Sequence, residues 1–374
     1  MYLYENSNIG DTALKEHILQ NKSLHPYFES SYGQVRPKNC CGFISTEEQD
    51  YFIVPKIVDD AGERNLDIFL YMLMYAYDVN LNHESLAAYR TQKHRFLEVF
   101  IRMFADGMLD ELKRGVFRQY ITMQENLKVL RGRYMFERNF RNFHHQNLHC
   151  EFDEFSMDNT LNRFFLYALR QFKKFSSYPN LNRCEQILDE VEYFNIDLKR
   201  LDLRFDRMNR RYEKSFEIAR MLLQKLIPLT GKAQNRSFAF LFDMAEVFEK
   251  FTGRLFCEID PTARLQVQRN FGSLQLKPDI VTQDMIIDTK YKLVKSRDDL
   301  VTQDKYQMFA YGVNFGIRDV MLLYPKHQVD IYEDLELGKG ENLIRLRMRS
   351  IDLNSDMGFE IFLNKIIQQI KGLK

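Results

Sequence analysis

Cysteine is scarce and unpatterned in this chain. Its five residues, two of them adjacent at Cys40-Cys41, offer no paired framework and no CxxC element. That excludes a disulfide-stapled scaffold and points to a reducing cytoplasm. Excess charge is missing too: 53 basic against 52 acidic residues rule out a chain that grips DNA by net charge alone, so any affinity for DNA must come from local patches or from a partner. No stretch approaches the ~20 consecutive apolar residues of a membrane span. The start Met1-Tyr2-Leu3-Tyr4-Glu5-Asn6 lacks the basic-then-apolar order of a signal peptide, so a soluble cytoplasmic protein with no membrane association is expected. A phosphate-cradling loop is absent as well. Neither Gly231-Lys232-Ala233 nor Gly338-Lys339-Gly340 completes the GxxxxGK[ST] pattern, and no nucleotide is expected to bind this chain. Tryptophan is missing altogether, without a functional reading.

What is present suits a globular protein. Hydrophobic residues make up 45% of 374 positions, and 31 Phe with 20 Tyr supply large core side chains. That length accommodates two or three domains of roughly 100–200 residues each.

The informative segment lies in the C-terminal third. Pro278-Asp279-Ile280 is followed by Ile286-Ile287-Asp288-Thr289-Lys290. Reading Leu276 to Val281 and Met285 to Lys292 as a hairpin, with Gln283-Asp284 at the turn, places Asp279 directly opposite Asp288. Residues so opposed have Cβ atoms roughly 5 Å apart. Alternation along a strand then sets Asp288 and Lys290 on one face, with Thr289 pointing the other way. Two carboxylates and an ammonium suit Mg²⁺, a hard ion that takes one or two carboxylates and keeps water and phosphate oxygens elsewhere in its shell. The ion would activate a water, and Lys290 would orient the nucleophile and stabilise charge on a scissile phosphate. A surface hairpin carrying an acid pair and its counter-charge is the plain alternative, and the flanking sequence decides between them.

Upstream, Phe238, Leu241, Ala245, Phe248 and Thr252 recur at helical spacing, with Glu246 and Glu249 on a neighbouring face. Downstream, Gln303 to Tyr311 reads as a helix in which Gln307 and Tyr311 lie one turn apart, and Val320 to Tyr324 reads as a buried strand. Helix with acids, strand, strand with Asp-x-Lys, helix, strand: this order resembles the restriction-endonuclease-like PD-(D/E)xK core, an α/β (α+β) fold. The resemblance implies catalytic Asp279, Asp288 and Lys290, an upstream helical Glu (Glu246 or Glu249, with Glu258 just beyond the helix), and Gln307 and Tyr306 shaping the site. Its metal set would be Asp279, Asp288 and Thr289, with Mg²⁺ as cofactor and Mn²⁺ able to substitute.

The likeness narrows further. Phe248-Glu249-Lys250-Phe251, Lys277-Pro278-Asp279-Ile280, Ile287-Asp288-Thr289-Lys290-Tyr291-Lys292 and Asp304 to Tyr311 resemble the McrC family. So do Gly42-Phe43-Ile44 with Val54-Pro55-Lys56-Ile57, Leu130-Arg131-Gly132-Arg133, and Phe152 to Asn159 with Leu161-Asn162-Arg163. The first forty residues carry no part of this resemblance. McrC is the endonuclease subunit of a modification-dependent restriction system. The resemblance therefore implies a McrB-type partner, a hexameric AAA+ motor whose GTP hydrolysis McrC stimulates, and double-stranded DNA with modified cytosine (5-methylcytosine) as substrate. A non-cleaving activator of the AAA+ GTPase and a stand-alone repair nuclease are the alternatives.

Three domains are expected: residues 1–150 as a mixed α/β partner-docking region, 151–232 as a helical connector ending at Pro228-Leu229-Thr230-Gly231, and 233–374 as the nuclease. Within them, helices are expected over Asp67 to Ala76, His94 to Leu112 and Gly358 to Ile370. Strands are expected over Tyr51 to Pro55, Gln119 to Gln124 and Arg133 to Glu137.

Four further clusters read as structural. His144-His145 with His149-Cys150 could complete a zinc shell, but the spacing fits no common module. Asp153, Glu154 and Asp158 sit where Ser156 or Asp158 would cap the following helix. Arg204, Arg207, Arg211 and Lys214, with Arg210, would stripe a helix from about Asp206 whose buried side is Phe205, Met208, Tyr212 and Phe216. Arg131-Gly132-Arg133 offers a phosphate contact or a turn between strands.

Overall fold

The computed structural model describes residues 1–46, 48–58, 61–78, 96–141, 146–229, 237–292, 294, 296–355 and 358–373. The chain forms two compact units, one of Met1–Leu86 with Ile227–Lys374 and one of Ala87–Leu226. The expected boundaries at 150 and 232 therefore do not delimit the compact units. The physical reason is a strand pairing: Cys40–Ser45 runs antiparallel to Phe238–Asp243, residue for residue from Ser45 opposite Phe238 to Cys40 opposite Asp243.

That pair lies in a five-stranded sheet ordered Tyr2–Tyr4, Asp50–Val54, Cys40–Ser45, Phe238–Asp243, Leu226–Pro228. Two strands approach closely at Gly42, whose φ is +141° and where a Cβ would lie 2.0 Å from the Phe240 carbonyl oxygen. No side chain fits there. The first forty residues belong to this core, because Leu3, Ile9, Leu14, Ile18, Leu24, Phe28 and Val35 pack with Ile44, Tyr51, Ile53 and Leu241.

Phe238 and Leu241 are thus strand residues, not the start of the expected helix. Phe-Ala-Phe-Leu-Phe favours a pleated, buried strand, and Asp243 ends it by accepting a hydrogen bond from the Ala245 amide as N-cap of the helix Met244–Ile259. That helix buries Val247, Phe248, Phe251, Thr252, Leu255 and Phe256, whereas Ala245 is exposed. It packs on the helix Gly62–Ala76 through Tyr75 against Phe251, and on the helix Phe359–Gly372 through Phe251 against Phe362.

The second sheet of this unit holds six strands in the order Arg264–Leu265, Ile280–Val281, Met285–Thr289, Asp319–Pro325, Ile344–Ile351, Tyr332–Leu337. Its middle three are parallel and its edges antiparallel. Parallel strands need covering crossovers. The helix Thr302–Phe315 provides one, packing Met308 and Tyr311 on Ile286, Val320, Leu322 and Leu346. The expected hairpin exists in shorter form. Ile280–Val281 pairs Met285–Thr289, and Thr282 to Met285 closes the turn, while Leu274–Leu276 belongs to a separate ribbon with Arg269–Phe271.

The other unit carries a three-stranded sheet, Gln119–Leu127, Leu148–Ser156 and Arg133–Tyr134, and helices whose aromatic residues Phe104, Phe164, Phe165, Phe172 and Tyr212 are fully buried. So residues 151–226 of the expected connector share a unit with the strands before them, and Ile227 onward belongs to the other unit. Asn159, not Ser156 or Asp158, caps the helix Thr160–Phe172 by accepting from the Asn162 amide, while Asp158 pairs with Arg163. The expected strand at 133–137 ends at Tyr134, and Phe136–Phe140 is helical. The basic stripe does not form, because the α-helix begins only at Glu213. Met208 is exposed, and Arg211 donates to the Gly115 carbonyl. Gly132, at φ +67°, turns the chain between strands, and Arg131 lies over the Phe152 ring. Thr230 and Gly231 of the expected linker, the glycine-lysine run 231–233, and His144 and His145 fall outside the described residues.

Candidate active site

The register of the short hairpin sets Ile280 opposite Ile287. One step further along both strands, Asp279 comes opposite Asp288. Proline at 278 leaves Asp279 just outside the ladder, and its carboxylate folds back on the neighbouring strand. Its Oδ2 accepts from the Thr289 amide at 2.7 Å and from the Thr289 hydroxyl at 2.8 Å. Thr289 thus orients Asp279. Among the described residues nothing donates to Asp279 Oδ1.

Asp288 is 2% exposed, and its Oδ2 lies 2.6 Å from Lys290 Nζ. The contact is an ion pair outside hydrogen-bond alignment, and no other group donates to Asp288 Oδ2 among the described residues. Lys290 donates instead to Gln307 Oε1 at 3.0 Å. Gln307 passes the chain to the Tyr311 hydroxyl at 2.9 Å, and Tyr311 donates to the Lys277 carbonyl at 3.2 Å. The one-turn spacing of Gln307 and Tyr311 is what lets both reach back to the two strands.

The two upstream acids separate cleanly. Glu246 is engaged by Lys250 at 3.0 Å and by the Tyr77 hydroxyl at 3.2 Å. Glu249, one turn on, faces Asp279 and Asp288 closely enough to feel both charges and accepts a hydrogen bond from Gln266 Nε2. Burial, then Asp279 and Asp288, push its carboxyl up to about 7. Glu258 sits in the last turn of the same helix beside Arg254.

Electrostatics tie the group together. Burial first, and the Asp279 charge second, raise Asp288 to about 6 against the pull of Lys290. For Lys290 burial alone would lower the pKa, but Asp288 outweighs it and the net direction is upward. Burial and Asp288 raise Tyr311 to about 12, so its hydroxyl stays a donor. Crowded carboxylates whose pKa values are raised although an ammonium stands beside them mark a site short of positive charge.

That is the test of fit for a divalent cation. Among the described residues no three His, Cys, Asp or Glu side chains make a complete metal cage. Mg²⁺ does not need one, since it is held by one or two carboxylates and completes its shell with water and substrate oxygens. Asp288 and Asp279 Oδ1 would supply those positions, with Glu249 adjacent. The side chain and amide of Thr289 serve Asp279 directly.

Sequence reasoning missed several members. Asp304, buried at the start of the helix Thr302–Phe315, takes the Lys292 ammonium, and its charge acts on both Asp288 and Lys290. Gln266 lies seventeen residues from its partner Glu249 in a segment with no recognisable pattern. Tyr306, expected near the chemistry, is 71% exposed.

Behind Lys290, Tyr291 is buried and donates to Glu5 Oε1 at 2.6 Å, which also accepts from the Lys56 amide at 2.9 Å. Glu5 is 2% exposed, its Oε2 is unpaired, and burial pushes it up to about 7. It borders a cavity of about 410 Å³ with Asn6, Lys56, Tyr291, His327 and Gln328.

A family model described as McrBC 5-methylcytosine restriction system component matches residues 35–325. No curated protein gives a significant match. Among solved structures, the chain is similar to one in the refined half-complex from a tetradecameric assembly of Thermococcus gammatolerans McrB AAA+ hexamers with bound McrC. That match has a TM-score of 0.56 at 19% identity and covers 99% of each chain. A second similarity, to the cryo-EM structure of the Thermococcus gammatolerans McrBC complex, has a TM-score of 0.48 at 22% identity and covers 69% of this chain and 87% of that one. The first shows a shared fold over the whole length. The family model spans both the strand pairing that closes the first unit and the paired carboxylates, and the chain belongs to the McrBC 5-methylcytosine restriction system component family, as its resemblance to McrC anticipates.

Proposed function

We propose that this chain is the DNA-cleaving subunit of a modification-dependent restriction complex. It hydrolyses phosphodiester bonds of duplex DNA carrying methylated cytosine, in a Mg²⁺-dependent reaction that Mn²⁺ also supports. It works with a McrB-type AAA+ hexamer whose GTP hydrolysis it stimulates. The observation that carries this reading is the convergence of Asp279, Asp288 and Lys290 at one end of the parallel sheet, with the buried Asp288 Oδ2 lying 2.6 Å from the Lys290 ammonium.

Asp279 and Asp288 would hold the cation, with Glu249 as the adjacent third carboxylate. When bound, the ion supplies an activated water and neutralises charge on the scissile phosphate. The remaining work falls to the chain's own residues. Lys290 stays charged beside Asp288 and places a donor where charge gathers on the phosphoryl oxygens. Gln307 and Tyr311 fix its position through a hydrogen-bonded chain anchored on the Lys277 carbonyl. With a pKa near neutrality, Glu249 is suited to exchange a proton with solvent or with the attacking water.

The test is cleavage of methylated and unmethylated plasmid by wild type and Asp288→Ala, with Mg²⁺, with and without the AAA+ partner and GTP. Cutting that depends on partner and methylation and disappears in the variant is expected. Undiminished cutting by the variant would remove Asp288 from the site. Partner-independent cutting would make the chain a stand-alone nuclease.

A further inference from the structure

Between the helix that carries Glu249 and the strand that carries Asp288 runs a segment that the mechanism uses only at its two ends, at Gln266 and Lys277. From Pro261 to Pro278 the sequence holds three cations (Arg264, Arg269, Lys277), four amide side chains (Gln266, Gln268, Asn270, Gln275) and no carboxylate, in a chain whose charges otherwise balance. Its middle is a two-stranded ribbon, Arg269–Phe271 paired antiparallel with Leu274–Leu276. Glycine at the tip, with φ +63° and open space around it, makes the reversal.

Both ends of the ribbon are fastened to the candidate active site. At its start, the Gln266 amide donates to the Asp279 carbonyl and its side chain to Glu249. At its end, the Lys277 carbonyl accepts from Tyr311, and Pro278-Asp279 follows directly. One face is spent on packing. Phe271 lies against Phe315, Arg269 stacks on the same ring, and Leu276 joins the core of the sheet. Alternation turns the opposite face outward, and there Asn270 and Gln275 stand side by side, 3.5 Å apart and exposed.

We infer that this ribbon is a DNA-contacting arm, its outer face of Asn270 and Gln275 laid in the major groove of the duplex being cut. The inference rests on the nuclease reading and adds to it where the chain touches the substrate away from the scissile bond. A two-stranded ribbon fits that groove, and Asn and Gln are the side chains that pair with the adenine edge. Cations without competing acids match the phosphate backbone. The four residues from Asp279 back to Gln275 reach at most about 14 Å, or about four base pairs at ~3.4 Å each. The contact would therefore lie within about four base pairs of the cut, to one side of it.

The test uses the full chain with its AAA+ partner and GTP. A photo-crosslinking residue is placed at position 275, and a control at Ile361 on the C-terminal helix; probes are duplexes with and without methylated cytosine. In parallel, cleavage and binding are measured for the double variant Asn270→Asp, Gln275→Glu. Expected are a DNA crosslink from 275 and not from 361, mapping within about four base pairs of the cut, and about tenfold weaker DNA binding by the double variant, with GTPase stimulation unchanged. A complex that binds DNA without a crosslink at 275 overturns the inference. So does crosslinking of 275 to the partner protein, or wild-type affinity in the double variant. Wild type that binds and crosslinks but never cuts would sink the nuclease reading and leave the arm standing.

Discussion

Replacing Glu5 by glutamine should stabilise the unit it sits in, and only at neutral to alkaline pH. Glu5 is 2% exposed, with its charge opposed by burial and helped only by the Tyr291 hydroxyl and the Lys56 amide. Its pKa of about 7 against an ordinary 4.5 means that the folded chain holds a proton which the unfolded chain has lost. A carboxylic acid raised in this way leaves stability untouched below about pH 4.5. It subtracts progressively as pH rises, until the loss is complete above about 7. Two and a half pKa units correspond to about 3 kcal/mol. Glutamine keeps an oxygen to accept from Tyr291 and Lys56 and puts a neutral amide in place of the charge at the buried, partnerless Oε2 position. It should therefore raise the thermal midpoint at pH 8 by about 6–12 °C and change little at pH 4.5. Denaturation of both proteins at the two pH values decides the matter. An equal effect at both, or a loss at pH 8, would show that Glu5 is not held as an uncompensated acid and that its tie to Tyr291 needs the charge.

The two upstream acids should part company. Glu249→Gln should lower cleavage about a hundredfold or more, whereas Glu246→Gln, whose parent pairs with Lys250 and Tyr77, should stay within about threefold. In the metal-free wild type Asp288 and Glu249, near 6 and 7, must lose their protons to take the cation, so Mg²⁺ affinity should rise from pH 5 to 8, and titration of Mg²⁺ binding to Glu249→Gln should keep only the lower step. Gln307→Ala, by freeing Lys290, should cost about tenfold in rate with partner GTPase stimulation unaffected. Gly42→Ala meets the Phe240 carbonyl at a positive φ and should destabilise by more than about 3 kcal/mol, visible as a lowered urea midpoint.

Several parts of this structure were legible because one rule governed them. The opposition of Asp279 and Asp288 followed from strand pairing alone, and the reach of Gln307 and Tyr311 from helical spacing. Elsewhere two rules competed. Phe238, Leu241 and Phe248 fit a helix by interval, but the interval spans a strand and a helix that Asp243 divides, and a cap is easily read past when apolar residues continue on both sides. Met208 was placed inside by spacing, yet the helix begins only at Glu213. The choice of Glu249 over Glu246 was not legible at all. Both lie on the same helix within one turn, and what separates them is supplied from far along the chain, by Tyr77 on one side and Gln266 on the other.

The pairing of Cys40–Ser45 with Phe238–Asp243 also changes how function must be dissected. From sequence, the N-terminal residues form a region apart from the nuclease, and deleting them seems a clean way to separate partner docking from cleavage. In the structure, residues 1–86 share a unit with 227–374. They contribute Glu5 to the residue that follows Lys290 and three strands to the sheet that precedes the Glu249 helix. Removing them exposes the edge of Phe238–Asp243 and unpairs buried backbone, so loss of cutting would follow from misfolding whatever the partner does. The residues expected to dock a partner but free of that entanglement are 87–150, which belong to the other unit, where Tyr120 pairs across the sheet with Phe155, both exposed and with ring centroids 5.0 Å apart. Substituting that pair by serine should leave the thermal midpoint of the Glu5-containing unit where it was. If the midpoint moves with it, the two units unfold as one, and no truncation or surface variant of this chain separates docking from chemistry.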